Sequence, residues 1–151
     1  MNTSKNEIKL HNVLFPFWML LLFPQVWLII LPGNFIIDSI VLIISMIVLK
    51  IADKKLWYKH YILKIFGFGT LADIIGAAYM LLMLTVFEIG VMGDELYLTL
   101  PALAMSGVLI FVFNYFVTFK KVERSLRRNL SIIFAVVTAP YTFLVPSSWI
   151  Y

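Results

Sequence analysis

The stretch PGNFIIDSIVLIISMIVLK, residues 32–50, decides the class of this protein. After Asn34 it is nearly all Ile, Val, Leu and Met, yet Asp38 stands inside it with no Lys or Arg within ten residues. The same character extends outward in both directions. The chain has 151 residues, of which 62% are hydrophobic, and a mean hydropathy of +0.98. Soluble domains are about 45–50% apolar. A soluble fold of this length has too little interior to hide so much apolar surface, so the sequence predicts an all-α integral membrane protein. It has no cysteine, which excludes disulfides, thiolate metal ligands and thiol nucleophiles.

A membrane-spanning helix needs about 20 mostly apolar residues. On that criterion the chain divides into a cytoplasmic segment, 1–12, and a single bundle of five helices, 13–151. The expected spans are about 13–31, 35–51, 61–87, 96–119 and 130–145, with Pro32-Gly33-Asn34 as the turn between the first two. The first span follows Lys5 and Lys9 as a signal peptide would. It is too long for that, holds Pro16 and Pro24, and ends without a small-x-small cleavage pattern, so it reads as a retained helix.

Charge placement orients this arrangement. All twelve Lys and Arg residues lie in the N-terminal segment, around the connector at 52–60, or in the connector at 120–129. With five spans these three places share one side. The connector at 88–95 holds Glu88, Asp94 and Glu95 and no base. Positive charge is retained inside during insertion, which predicts a multi-pass protein of the cell membrane with its N-terminus cytoplasmic and its C-terminus outside. The net charge of +4 therefore reports topology and does not suggest nucleic-acid binding. Lys120, Lys121, Arg124, Arg127 and Arg128 are the candidates for contact with anionic lipid head groups, at about 1 kcal/mol per basic residue near the surface.

Polar residues inside the spans fall into stripes. Asn34, Asp38, Ser45 and Ala52 share one helical face, as do Gly69, Asp73, Gly76 and Met80. Gly107, Asn114 and Thr118 form a third stripe, and Ser131, Ala135, Thr138 and Thr142 a fourth. Small residues let helices approach and polar ones hydrogen-bond across them, so the stripes are expected to face one another. The two aspartates ask for more than packing. Asp38 lies about 6 Å outward of the middle of its expected span and Asp73 about 3 Å inward of its own, and no basic residue sits at that depth. Protonation, a shared proton, or a bound cation would satisfy them, and ionisable residues inside a membrane mark functional sites. Asp38, Asp73, Asn34, Asn114, Thr138 and Gln25 are the candidate ion, proton or ligand residues. Gln25 enters because Pro24 is expected to kink the first span and free the carbonyl of Leu20.

Known chemistries are sparse. HExxH, G-x-S-x-G, P-loop and dinucleotide fingerprints are all missing, and His11 and His60 are far apart, so no metal site or cofactor is expected. Intramembrane aspartyl proteases carry one aspartate in GxGD. The stretch GFGTLAD places Asp73 four residues after Gly69 instead of one, a full turn from that pattern. The leading functional expectation is a non-catalytic accessory, regulatory or lipid- or partner-binding subunit. The alternative is a proton- or cation-linked transport or ion-binding protein using Asp38 and Asp73, and a third reading is a lipid-acting membrane enzyme. Expected partners are the bilayer, another membrane protein or a parallel copy of the chain.

Overall fold

The fold was analysed on a computed structural model that describes residues 23–86 and 95–144. Among these residues the protein is all helical. Helix α1 is Pro24–Val48 and α2 is Lys54–Val86. Helix α3, Glu95–Phe113, runs on through a π turn, Asn114–Thr118. Helix α4 is Arg124–Val137, and a 3-10 turn follows at Tyr141–Leu144. Three helices are long and apolar enough to cross a membrane: Pro24–Val48, Lys54–Met83 and Tyr97–Thr118.

Two expectations from the sequence are corrected here. First, Pro32-Gly33-Asn34 is not a turn, because α1 runs through it without a break. Where no water is present, an interrupted helix leaves backbone groups without partners, whereas a proline within it removes a single hydrogen bond. Residues 35–51 are therefore not a separate span, and the part of the first expected span before Phe23 lies outside the described residues. Pro24 is also not a mid-helix kink. It occupies the first turn of α1, where its missing N–H has no helical partner to lose, and Gln25 beside it is exposed. Second, residues 130–145 do not form one helix. Helix α4 has 14 residues, about 21 Å at 1.5 Å per residue, and stops before Pro140. The residue preceding a proline is driven away from helical geometry.

The α1–α2 connector is a tight reversal. Ile51 N–H donates to the Met46 carbonyl at 3.0 Å and Lys50 N–H to that of Ile47 at 3.2 Å, the paired bonds of a Schellman end. The left-handed residue between them is Lys50, with φ 53°, where glycine would be easier. Ile51 and Met46 are both buried in the core, which supplies the apolar contact that accompanies this motif.

Two clusters hold the helices together. The larger lies toward the basic end and joins Leu42 and Met46 of α1, Ile62 and Ile65 of α2, Ile110 of α3, and Leu130 and Phe134 of α4, with Phe119 beyond the π turn. Tyr61 and Phe134 pack on Phe119 from either side, at centroid distances of 5.3 and 6.2 Å. The smaller joins Ala77, Met80, Leu98, Ala102 and Phe143. Phe143 thus carries the chain after α4 back onto α2 and α3. Gly76 is required there, because a Cβ at this position would collide with Ser106 Oγ and stand 3.0 Å from the Phe143 ring. Ser106 is fixed by donating to the Ala72 carbonyl at 3.1 Å.

Two measurements test this account. Spin labels at Leu28→Cys and Val48→Cys, both exposed in a chain without native cysteine, should report backbone positions about 30 Å apart along a continuous helix. A hairpin at 32–34 would bring them within about 20 Å. Gly76→Ala should destabilise the purified protein by about 1–3 kcal/mol through overpacking. Gly67→Ala, which meets no atom within 4 Å, should be neutral or stabilising by up to about 1 kcal/mol.

Candidate functional site

Helix α1 brings Asn34, Ile37 and Asp38 onto one face because they are three and four residues apart. Helix α2 does the same for Gly69, Thr70 and Asp73. The two faces meet. Asn34 Nδ2 donates to Asp73 Oδ2 at 3.3 Å, and a Cβ at Gly69 would stand 3.7 Å from Asp38 Oδ2. Asp38 therefore lies over the bare backbone of Gly69, one turn from Asp73.

Between these faces and the segment after α4 is a cavity of about 550 Å³. Asn34, Asp38, Thr70 and Asp73 line one side of it, and Val137 to Phe143 the other. Ile29, Ile30 and Ile37 add to the wall, which contains no Lys, Arg or His among the described residues. A smaller hollow of about 130 Å³ between α1 and α2 shares Asn34, Thr70 and Asp73 with it.

The polar groups of the cavity are under-satisfied. Asp38 is only 5% exposed, and among the described residues nothing donates to its carboxylate. Asp73 Oδ1 and Thr70 Oγ1 are buried without partners. A buried polar atom left unpaired costs about 1–3 kcal/mol, and two such atoms, Asp73 Oδ1 and Thr70 Oγ1, face this one hollow. The end of α4 adds to this. A helix C-terminus carries about half a negative charge, and α4 ends at the cavity wall. Its carbonyls are only partly covered there. Thr138 Oγ1 donates to Phe134 O at 2.8 Å, and the Tyr141 hydroxyl donates to Val136 O. Two carboxyl groups and a helix C-terminus thus converge with no base among them, an arrangement suited to a proton or a cationic group.

Of the six candidates from the sequence, the structure brings Asp38, Asp73, Asn34 and Thr138 together. Asn114 is elsewhere. It opens the π turn, is 1% exposed, has both amide atoms unpaired, and lines neither cavity. Gln25 is exposed at the start of α1 and also lines neither. Ala52, expected on the stripe with Asp38, is exposed in the connector. Sequence reasoning missed Thr70, whose signal was its position three residues before Asp73, and Tyr141 and Phe143, although it had placed Thr142 on an inward stripe.

The basic residues also divide. Lys120, Lys121, Arg124 and Arg128 are exposed. Arg127 is turned inward: its guanidinium lies 4.4 Å from the Tyr115 ring centre and donates to Lys120 O at 3.3 Å and to the Tyr115 hydroxyl at 3.4 Å. No group of three or more His, Asp or Glu able to hold a metal occurs among the described residues. No family model, curated protein or solved structure matches the chain.

The Asn34–Asp73 contact can be weighed with a double-mutant cycle. Asn34→Leu should cost about 1–3 kcal/mol by leaving the carboxyl unpaired. Adding Asp73→Leu should recover most of that loss, because removing both partners is nearly neutral. Additive losses would show that the two side chains do not act as a pair.

Proposed function

We propose that this protein is a small multi-pass protein of the cell membrane that binds a cationic group, or exchanges a proton for one, at Asp38 and Asp73. The observation that carries this reading is the shared cavity, which both carboxyls and the C-terminal end of α4 line, with no basic side chain among the described residues. Carboxyl groups in an apolar interior need a proton, a donor or a counter-ion, and Asn34 supplies a donor only to Asp73.

A subunit without a site of its own comes second, because packing alone leaves Asp38, Asp73 Oδ1 and Thr70 Oγ1 without partners. In the arrangement we propose, the end of the bundle with Lys50, Lys54, Lys55 and Lys59 faces the cytoplasm with Lys120, Lys121, Arg124 and Arg128, following the retention of positive charge inside. The last four of these contact anionic lipid head groups, and Arg127 instead braces Tyr115.

The test is the thermal stability of the purified protein between pH 5 and pH 9. The wild type should respond to pH, and the Asp38→Asn/Asp73→Asn variant should lose at least about 3 °C of that response, the size expected of roughly 1 kcal/mol in a chain this long. Superimposable pH profiles for the two proteins would rule out an exchangeable acidic site.

A further inference from the structure

We infer that the ligand of this pocket is a lipophilic organic cation. The inference rests on the acidic-pocket reading above and names its ligand class. Four features of the cavity support it. Its volume of about 550 Å³ falls within the roughly 300–1,000 Å³ of sites that enclose drug-sized molecules. A bare divalent cation asks instead for about six to eight oxygens at roughly 2.0–2.6 Å, and no cluster of three or more His, Asp or Glu offers such a set among the described residues.

The wall sets a few polar groups among hydrocarbon. Asp38, Asp73 and Thr70 on α1 and α2 face Thr138, Tyr141 and Thr142, and Val26, Ile29, Ile30, Ile37 and Phe143 offer hydrocarbon between them. A strongly hydrated ion gains nothing from hydrocarbon and must shed water to meet it. A cation whose charge is surrounded by an apolar body gains from both, since its body is removed from water and its charge meets the carboxyls.

The negative groups approach from two directions. The carboxyls stand on α1 and α2, and the α4 terminus stands across the hollow. A central charge inside a bulky shell can feel both without touching either. Finally, the rim is apolar and exposed. Ile29 is 77% exposed, Ile37 49%, Val137 52% and Tyr141 49%. In a bilayer such side chains meet lipid, so a ligand dissolved in the hydrocarbon reaches the site sideways.

The probe is tetraphenylphosphonium, with tetraphenylborate as a control of matching shape and opposite charge. Each is titrated separately against the full chain in lipid nanodiscs, with empty nanodiscs subtracted. Tetraphenylphosphonium should bind saturably at about one per chain, and Asp38→Asn or Asp73→Asn should weaken it at least tenfold. Gly33→Phe should weaken it similarly by filling the hollow. Gly33 lines the cavity and a Cβ there meets nothing within 4 Å, so the new side chain starts in open space. Equal binding of the borate, or retention of full affinity in both Asp variants, would overturn the inference. No saturable phosphonium binding alongside an intact Asp-dependent pH response would also overturn it while sparing the acidic site. Absence of both signals would remove the two together.

Discussion

A carboxyl group held away from water must be neutralised, hydrogen-bonded or matched with a cation, and the arrangement around Asp38 follows from that constraint. Asp38 approaches α2 at Gly69, where a Cβ would stand in ordinary contact with its carboxylate at 3.7 Å. That approach brings Asn34, one turn earlier on α1, within 3.3 Å of Asp73. The same contact thus sets the register of α1 on α2 and gathers the acidic groups at one hollow. The acids and the packing are two aspects of one interface.

The second determinant is the end of α4. Had that helix continued past Val137, its side chains would have occupied the space where the hollow now lies. Pro140 prevents this, and the chain instead turns so that Phe143 packs against Ala77, Met80, Leu98 and Ala102. Gly76 admits the Phe143 ring. The hollow is therefore the consequence of a helix ending early and of a glycine that lets the returning chain dock. The ended helix contributes more than space, since its terminal dipole adds negative potential where two carboxyls already stand.

The basic end of the bundle is built differently. Large side chains dominate there, with Phe119 held between Tyr61 and Phe134. The Schellman end at Lys50 accepts a left-handed lysine where glycine would be easier. That choice keeps a positive charge beside Lys54 and Lys55, at some local conformational cost. Dense aromatic packing marks this end, although Asn114 and Thr118 beside it also keep buried polar atoms without partners.

Much of this was legible in the residues. The run after Asn34 and the apolar composition predicted the class, because burying that much hydrocarbon has few solutions. The spacing of Asn34 and Asp38, and of Gly69 and Asp73, predicted which faces would meet, because helical periodicity is local. Other features were not legible. Pro32-Gly33-Asn34 has the composition of a turn, but a helix surrounded by hydrocarbon keeps its hydrogen bonds, so the chain runs straight. Asn114 shares the polarity of the site residues, but it opens the π turn at the end of α3 and lines neither cavity. The sequence by itself determined an apolar helical chain with two acids that no nearby base can neutralise, since charge and periodicity are properties of the residues. Only the tertiary structure decided that the acids share one cavity with the end of α4, because that depends on where a broken helix turns and which glycine lets it dock.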